Sequence, residues 1–265
     1  MSDPEPLLDL RDVTVQFGGL KAVSGFNFSI RHGELTGLIG PNGAGKTTIF
    51  NLITGVYRPT SGAILFEGKS VGGKKPYLIT KRGIARTFQN IRLFGSMSVF
   101  DNVRAAFNMH LRHGISHALW RGRGFAGEEA RVEKEAGELL EIFHLGKLRD
   151  APCTSLCYGD QRRLEIVRAL ATRPKLILLD EPAAGMNPTE KTELMELIRF
   201  VQEKFKIAVL LVEHDMRVVM GICQRIAVLD YGVKIAEGPA GEIKSNEAVV
   251  RAYLGVDESE VDTRT

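Results

Sequence analysis

The 265-residue sequence has few of the features that define membrane, secreted or metal-binding proteins. Its three cysteines are an odd number, which fits reduced thiols better than a disulfide framework. Cys153 and Cys157 have no further ligands nearby at zinc-site spacing. The longest strongly apolar run in the C-terminal half, residues 207–212, is far shorter than the roughly 20 residues of a membrane span. Residues 1–6 lack the basic and apolar regions of a secretion signal, so we expect a cytosolic chain.

The sequence also has little net charge. Lys and Arg together number 35 and Asp and Glu 32, which leaves a formal charge of +3. Because there is no basic stripe with interleaved aromatic residues, we expect no nucleic-acid partner. The hydrophobic residues make up 44% and the charged residues 25%, a composition typical of a globular protein that can bury a sizeable core.

The most informative segment is a phosphate-binding loop with the pattern G-x-x-x-x-G-K-[ST]. It lies between a strand-like run, Leu35–Ile39, and a helix-like run at residues 48–53, which is the context that the motif requires. Backbone N–H groups of such a loop surround phosphates, and the helix N-terminus favours negative charge. We expect Lys46 to reach the β- and γ-phosphates and the Thr47 hydroxyl to hold Mg²⁺. The expected nucleotide-binding residues of this loop are Gly40, Pro41, Asn42, Gly43, Ala44, Gly45, Lys46, Thr47 and Thr48.

A second apolar run, Leu176–Asp180, ends in an acidic residue, and Glu181 follows it immediately. We expect Asp180 to complete the Mg²⁺ shell and Glu181 to act as general base on the attacking water. In isolation the pair could simply be acidic residues at a strand end. His214 follows another apolar run, where strand ends in open α/β sheets gather around the ligand. A contact between His214 and the γ-phosphate is therefore favoured over a structural role.

The hydrophobic pattern predicts an α/β core interrupted by a helical lobe. Alternating apolar residues near the N-terminus predict strands, clearest at residues 26–30, and residues 128–145 have the strongest helical period. We expect a single nucleotide-binding domain at residues 1–256, with a helical lobe at about 90–172 and a disordered tail at 257–265. Further strands are predicted at 63–66, 176–180, 207–212 and 226–230, and further helices at 190–204 and 216–222.

In this order, the motifs resemble the nucleotide-binding subunit of an ATP-binding-cassette (ABC) transporter over residues 8–254. The series consists of the phosphate loop, Gln89, a signature-like segment at residues 156–162, the Asp180-Glu181 strand end and His214. The resemblance implies a phosphate-loop NTPase core of ABC ATPase type, with an N-terminal antiparallel β region and an inserted α-helical lobe. It implies ATP and Mg²⁺ as cofactors, and a head-to-tail dimer with a second, identical or homologous, ABC ATPase subunit.

The resemblance also assigns roles that the residues alone would not. Phe17 matches the aromatic residue that stacks on adenine. The less favoured alternative is that it is one more core residue of its strand. Gln89 would contact Mg²⁺ and the attacking water, while its loop meets membrane permease subunits. The implied catalytic set is Glu181, His214 and Gln89, and the implied metal set is Thr47, Gln89 and Asp180.

The signature-like segment would contact the ATP of the partner subunit through Cys157, Gly159 and Asp160. Cys157 stands where the family usually has serine, and a thiol is a bulkier and weaker hydrogen-bond donor than a hydroxyl. We expect this cysteine to weaken the partner's ATP site rather than the site built on Lys46. Alternatively, the Gly159 N–H and the helix N-terminus supply most of the phosphate contact. Asn187 stands where the family more often has aspartate, and its role stays open.

Three segments, at residues 86–94, 158–165 and 180–188, resemble ATPase subunits of branched-chain or hydrophobic amino-acid importers. This implies a peripheral location on the cytoplasmic face of the inner membrane and, indirectly, an extracytoplasmic solute-binding protein. Two alternatives are the ATPase subunit of a lipid or glycoconjugate exporter and a soluble ABC ATPase without a transport role. The cargo is not encoded in this chain, because substrate contacts belong to other subunits.

Three histidines, His110, His113 and His117, have the spacing of one helical face. A metal site is the less favoured interpretation, because Gly114 interrupts the helix and no acidic or thiol ligand is interleaved. A solvated, partly positive surface is favoured.

Overall fold

The computed structural model describes the backbone of residues 5–110 and 123–254, and the side chains of residues 5–109 and 127–253. The predicted tail at 257–265, His113, His117 and the side chain of His110 lie outside these described residues. Within the described ranges, no helix has both the length and the apolar composition that a membrane span requires.

The strands form two sheets. They are β1 (Leu8–Phe17), β2 (Leu20–Ile30), β3 (Leu35–Ile39), β4 (Ser61–Phe66), β5 (Lys69–Ser70), β6 (Ile84–Arg86), β7 (Leu176–Asp180), β8 (Ala208–Val212), β9 (Arg225–Asp230) and β10 (Val233–Gly238). An antiparallel sheet has the order β2-β1-β4-β5, which confirms the predicted N-terminal β region. The second sheet has the order β10-β9-β3-β8-β7-β6, and β10 alone among these strands runs antiparallel to its neighbour.

The helices are α1 (Lys46–Ile53), α2 (Pro76–Lys81), α3 (Val99–Phe107), α4 (Arg123–Ile142), α5 (Tyr158–Ala171), α6 (Pro188–Phe205), α7 (Met216–Ile222), α8 (Ala240–Ser245) and α9 (Glu247–Leu254). The sequence pattern predicts α7 with these bounds and α6 to within two residues. It does not predict the short elements β6 and α2, or the C-terminal elements β10, α8 and α9, because none of them carries a long periodic pattern.

The inserted helical lobe is present and consists of α3, α4 and α5, between β6 and β7 in the chain. In α4 the expected apolar face is buried: Val132, Ala136 and Leu140 are each at most 7% exposed. The helix ends at Ile142, before the predicted end at residue 145. The reason is the backbone of His144, which adopts a left-handed conformation with φ 59° and so cannot continue the helix.

The parallel sheet lies between the lobe and the antiparallel sheet. Every residue of β3, β7 and β8 is buried, as continuous apolar runs predict for strands covered on both faces. In β7, Ile177 and Leu179 pack in the core beneath the lobe, while Leu176 and Leu178 pack in the core shared with the antiparallel sheet.

The neighbouring strands β3, β8, β7 and β6 run in the same direction, so their carboxyl ends meet at one edge of the sheet. Each strand delivers one predicted segment to that edge. The phosphate loop follows β3, His214 follows β8, Glu181 follows β7 and Gln89 follows β6. This edge is therefore where the predicted site residues can meet.

Candidate functional site

The phosphate loop fits closely against the neighbouring chain. Gly40 has φ 152°, and a Cβ atom there would lie 2.0 Å from the carbonyl oxygen of Leu229. Gly45 has φ 108°, and its added Cβ would lie 2.9 Å from the carbonyl oxygen of Ala22. These two positions require glycine both for the backbone conformation and for the space.

The C-terminal helix α9 also reaches this loop. The Tyr253 side chain lies beside the backbone N–H of Gly40. Burial raises the pKa of the Tyr253 phenol, and the nearby Gly40 N–H partly opposes the rise. The sequence pattern does not predict the contact, because it joins residues far apart in the chain.

Lys46 lies inside the loop. Its side-chain ammonium donates to the carbonyl oxygens of Gly40 and Pro41, at 2.6 and 2.8 Å. Burial lowers the pKa of Lys46, and the negative charges of Glu181 and Asp180 partly oppose that decrease. The ammonium therefore lies within the loop, close enough to the two carboxylates to be influenced by their charge. Among the other predicted loop residues, Asn42, Gly43 and Thr47 are exposed, and Pro41, Gly45 and Thr48 are half-buried.

Asp180 is buried and forms an ion pair with Arg86, in which Nη2 of Arg86 lies 2.7 Å from Oδ2 of Asp180. Arg86 also donates to Oδ1 of Asn51 in α1, at 2.7 Å. Its guanidinium lies 5.4 Å from the ring centre of Phe50 and 5.1 Å from that of Phe88. Arg86 therefore ties the end of β7 to the helix that follows the phosphate loop.

The three residues predicted to act in catalysis come together. Nε2 of Gln89 donates to Oε2 of Glu181 at 2.7 Å, and Nδ1 of His214 lies 3.8 Å from the same oxygen. Glu181 has a left-handed backbone, with φ 45°, which is strained for a residue with a side chain. His214 and Gln89 are both exposed, so the Glu181 carboxylate lies between two side chains that face solvent.

Glu213, immediately before His214, is buried beneath this cluster with 1% of its surface exposed. Its carboxylate accepts from the backbone N–H groups of Ala183, at 2.7 Å, and His214, at 3.2 Å. Burial raises the pKa of Glu213, and these hydrogen bonds partly oppose the rise. Glu213 therefore joins the segment after Glu181 to the segment that carries His214. The sequence pattern does not predict the burial of Glu213, because a single acidic residue beside a histidine is normally expected to be exposed.

The signature-like segment forms the N-terminus of α5. Cys157 is exposed, and its thiol donates to Oδ2 of Asp160 at 3.3 Å. Gly159 has nothing within 4 Å of an added Cβ. Among the described residues, no hydrogen bond or ion pair joins Cys157, Gly159 or Asp160 to the phosphate loop. This predicted group therefore makes no such contact with the phosphate loop of its own chain among the described residues.

Helix α5 contacts the backbone of the Gln89 loop, residues 87–92, through two buried charged side chains. Nη1 of Arg162 donates to the carbonyl oxygen of Phe88 at 2.6 Å, and Nη2 donates to that of Gln89. Oε1 of Glu165 accepts from the N–H of Phe88 at 3.1 Å. Arg162 and Glu165 also pair with each other at 2.9 Å. These two residues are not predicted from the sequence, because charges on a helix usually mark its solvent face.

Phe17 is 44% exposed, so the alternative of a core strand residue is wrong. Its ring lies 5.0 Å from that of Tyr57, with the two planes at 69°. One face of this edge-to-face pair can therefore receive a flat ring.

Asn187 has a local structural role. Its side-chain oxygen accepts from the backbone N–H groups of Thr189 and Glu190, at 2.9 and 3.0 Å, and Glu190 reaches back to the Asn187 N–H at 2.8 Å. This capping box begins α6, and an amide satisfies it as well as a carboxylate.

Comparison with known families and proteins gives matches over nearly the whole chain. A family model described as ABC transporter matches residues 23–184, and one described as branched-chain amino acid ATP-binding cassette transporter matches residues 233–259. The chain is 41% identical over 250 residues to BraF of Pseudomonas aeruginosa, a high-affinity branched-chain amino acid transport ATP-binding protein; the match covers 94% of this chain and 98% of BraF.

Two relatives from Escherichia coli strain K12 differ in what they transport. The chain is 42% identical over 251 residues to LivG, a high-affinity branched-chain amino acid transport ATP-binding protein, with 95% of this chain and 98% of LivG covered. It is 34% identical over 250 residues to LptB, the ATP-binding protein of a lipopolysaccharide export system, with 94% and 98% covered.

Solved structures share the fold. MJ1267, an ATP-binding cassette of an ABC transporter in its ADP conformation, has a TM-score of 0.82 and 32% identity, and the match covers 96% of this chain and all of that one, 100%. The cassette MJ0796, solved as a dimer in a post-hydrolysis state bound to ADP and Pi, has a TM-score of 0.72 and 27% identity, with 88% of this chain and 98% of that chain covered.

Proposed function

Because the chain belongs to the ABC transporter family, we propose that it is the ATP-hydrolysing subunit of an importer of branched-chain or other hydrophobic amino acids. The fold class and the ATPase activity expected from the sequence are confirmed by the family and its solved members. The observation that carries the proposed hydrolysis site is the contact of the Glu181 carboxylate with both Gln89 and His214, beside Lys46 and Asp180. The import role is supported by the C-terminal family match and by BraF and LivG.

In the proposed site, the phosphates of ATP bind at the loop of residues 40–48. The backbone N–H groups and the N-terminus of α1 favour negative charge there, and the Lys46 ammonium adds a positive charge. Phe17, half exposed beside Tyr57, would stack on the adenine.

Mg²⁺ is proposed to be held by Thr47, Gln89 and Asp180. A hydroxyl, an amide oxygen and a carboxylate form the hard-oxygen donor set that this ion prefers. The contact with Arg86 engages one oxygen of Asp180, so the other remains for the ion shell. Among the described residues no group of three His, Cys, Asp or Glu side chains is placed to hold a metal ion. Oxygens of the nucleotide phosphates would complete the shell of the ion. The ion would neutralise charge on the phosphates.

Hydrolysis is proposed to use the Glu181 carboxylate as the general base. Glu181 takes a proton from water, and the water oxygen bonds to the γ-phosphorus. The bond between the γ-phosphorus and the oxygen of the β-phosphate then breaks, which releases ADP. Gln89 orients the carboxylate and the water, and His214 contacts the γ-phosphate.

A second ABC ATPase subunit, identical or homologous, is proposed to complete the site in a head-to-tail dimer. The signature-like residues Cys157, Gly159 and Asp160 make no hydrogen bond to the phosphate loop of their own chain among the described residues. An arrangement across a dimer gives them an ATP to contact. The dimeric state of MJ0796 supports such an assembly in the family.

Permease subunits are proposed to dock beside the Gln89 loop. A groove of about 360 Å³ lies there, between α2 and β6 on one side and α3 and α5 on the other. Its lining is mostly apolar and includes Ile79, Phe88 and Phe94. An apolar groove of this kind suits a short helix of a membrane subunit. This partner would place the chain peripherally on the cytoplasmic face of the inner membrane, and import would further require an extracytoplasmic solute-binding protein.

The test is to express a tagged chain in its native host, extract membranes in mild detergent, and identify co-purifying proteins by mass spectrometry. We expect permease subunits and a solute-binding protein. In cells lacking the chromosomal copy, wild type should restore uptake of radiolabelled leucine, isoleucine or valine, and Lys46→Ala should not. Glu67→Gln, an exposed control far from the loop, should restore uptake like wild type. Recovery of soluble partners alone, with no effect on uptake, would contradict the proposal and favour a non-transport ABC ATPase.

A lipid or glycoconjugate exporter subunit is the second candidate, because the chain is 34% identical to LptB. The lower identity makes it the weaker one. The same purification distinguishes the two candidates, because an exporter subunit would co-purify with a permease but without a solute-binding protein. Depletion of an exporter subunit would also leave amino-acid uptake unchanged.

A further inference from the structure

The backbone of the Gln89 loop is held by side chains of α5, the helix that begins with the signature-like segment. Phe88 forms hydrogen bonds through both its N–H and its carbonyl oxygen, and Gln89 through its carbonyl oxygen, all with Arg162 or Glu165. One turn further along α5, Arg168 donates to the carbonyl oxygen of Arg92. These α5 side chains therefore contact the loop at both of its ends.

The pair Arg162 and Glu165 is unusually buried for two charges. Their side chains are 2% and 6% exposed. Taking two charges out of water costs more than their attraction alone usually returns. Arg162 also leaves its buried Nε without a hydrogen-bond partner. An apolar pair of similar volume would fill this space without that cost, so the packing of α5 does not by itself explain these residues.

What the charged pair provides is position. A guanidinium presents donors in a rigid fork, and here two arms of the fork reach the successive carbonyl oxygens of Phe88 and Gln89. Glu165 pairs with the fork and also accepts from the N–H of Phe88, which precedes both carbonyls in the chain. The held segment leads directly to the Gln89 side chain, which donates to Glu181 at 2.7 Å. A displacement of α5 would thus be passed to the carboxylate through a single loop.

We propose that Arg162 and Glu165 are positioning residues that make the alignment of Gln89 on Glu181 depend on the position of α5. Through this pair, the signature end of α5 affects hydrolysis at the phosphate loop of its own chain. A contact of Cys157, Gly159 or Asp160 with a partner's nucleotide would in this way report to the site on Lys46. The inference rests on the proposed roles of Gln89 and Glu181.

The test uses the purified full-length chain with Arg162→Met and Glu165→Leu combined, because the double change leaves no unpaired buried charge. Arg173→Met is the matched control: it removes an arginine that follows α5 and pairs with Glu135 of α4, away from the Gln89 loop. Circular dichroism and thermal melting check folding, and titration with fluorescent N-methylanthraniloyl-ATP gives nucleotide affinity. Steady-state kinetics then give kcat and KM for ATP in the wild-type and Gln89→Ala backgrounds.

We expect the double variant to lower kcat by roughly tenfold to a hundredfold, the cost of a small misplacement of a catalytic group, with nucleotide affinity unchanged. Arg173→Met should match wild type. In the Gln89→Ala background, the same double change should have no further effect, because the side chain it positions is already gone.

Two results would overturn the inference while leaving the function intact: an unchanged kcat in the double variant, or a loss that multiplies with that of Gln89→Ala. A wild-type kcat for Gln89→Ala would instead remove the proposed role of Gln89, and the inference with it.

Discussion

The phosphate loop and the Gln89 loop lie at the same edge of the parallel sheet, but different interactions hold them. The phosphate loop follows the buried strand β3, and its Gly40 packs against the backbone of Leu229 with no space for a side chain. The Gln89 loop is held by charged side chains of α5, chiefly Arg162 and Glu165. One loop is fixed by close packing of the core, and the other by hydrogen bonds from the helical lobe.

Because they are held differently, the two loops differ in how they can move. A packed sheet has few alternative arrangements and provides a fixed reference for the nucleotide phosphates. Hydrogen bonds from a helix can carry a loop with that helix when the helix moves as a rigid body. The carboxylate of Glu181, the proposed general base, lies between the two regions, because it directly follows β7 and is contacted by Gln89. Four predictions test this comparison.

The largest effect is expected from Glu181→Gln, which leaves both regions in place and removes the base between them. We expect kcat for ATP to fall by roughly 10²- to 10⁴-fold, because an amide cannot accept the proton from water. Nucleotide affinity should remain, since the loop of residues 40–48 is untouched. Steady-state hydrolysis and titration with the fluorescent ATP analogue measure the two quantities.

The control for this prediction is Glu67→Gln, which changes an exposed carboxylate that pairs with Lys175. It should hydrolyse ATP like wild type. If Glu181→Gln also kept the wild-type rate, Glu181 would not be the base.

The second prediction compares a glycine of the phosphate loop with a glycine of α5, the helix that holds the Gln89 loop. Gly40→Ala should lower the free energy of unfolding by about 3 kcal/mol, because a Cβ would meet Leu229 and the backbone conformation disfavours alanine. Gly159→Ala should change it by less than about 1 kcal/mol, in either direction, because nothing lies within 4 Å and alanine favours helix. Chemical denaturation measures both values.

Equal losses of stability in the two variants would contradict this part of the comparison. Gly159→Ala should instead alter only the hydrolysis rate of the assembled complex, if Gly159 contacts the ATP of a partner subunit.

The third prediction concerns the thiol at the start of α5. Cys157→Ser should raise ATP turnover of the assembled complex by about two- to fivefold, because a hydroxyl donates a stronger hydrogen bond to an anion than a thiol. In this chain the thiol is engaged with Asp160 at 3.3 Å. Turnover is measured on the purified complex, and Cys223→Ser, at a buried position outside the site, is the control. An unchanged rate for Cys157→Ser would mean that the side chain is secondary to the Gly159 N–H.

The smallest effect is expected at a partly exposed charged contact between α6 and the residue that precedes α7. Nζ of Lys191 lies 2.7 Å from Oδ2 of Asp215, next to His214, and this hydrogen bond lowers the pKa of Asp215 below its ordinary value of 3.8. The stabilisation is therefore present above the ordinary pKa and is lost as the pH falls through the lowered one. Because the pair is partly exposed, Lys191→Met should cost only about 0.5 kcal/mol near neutral pH.

Thermal melts of wild type and Lys191→Met over a pH series measure this difference. The gap between the two melting temperatures should close in acid. A gap that stays constant across the series would mean that Lys191 stabilises through packing rather than charge.

The contrast between the regions also explains what the sequence could predict. The phosphate loop, β3 and β7 could be predicted from local patterns. A continuous apolar run indicates a buried strand, and the glycine-rich motif after β3 indicates a phosphate-binding loop. The amphipathic face of α4 follows in the same way from its period. The association of Gln89, Glu181 and His214 required the order of family motifs, since nothing local links residues so far apart.

The charged contacts could not be predicted. Arg162, Glu165 and Glu213 are buried polar residues in segments whose composition indicates a solvent face, and only the tertiary structure supplies their partners. Arg86 belongs to a strand too short to be recognised, and its pairing with Asp180 depends on β6 and β7 being neighbours. Sequence patterns therefore describe the region fixed by packing better than the region fixed by ion pairs.

The proposed coupling requires the Gln89 loop to move with the helical lobe while the phosphate-loop sheet stays fixed. Hydrogen–deuterium exchange of the Glu181→Gln chain, with and without Mg²⁺ and ATP, tests this directly. We predict that peptides covering residues 86–94 and 158–168 change their exchange together when ATP is added, while peptides covering β3 and β7 do not change. Two results would contradict this account. In the first, ATP changes the exchange of residues 86–94 but not that of residues 158–168. In the second, ATP changes the exchange of α5 alone, while residues 86–94 and the strands stay unchanged.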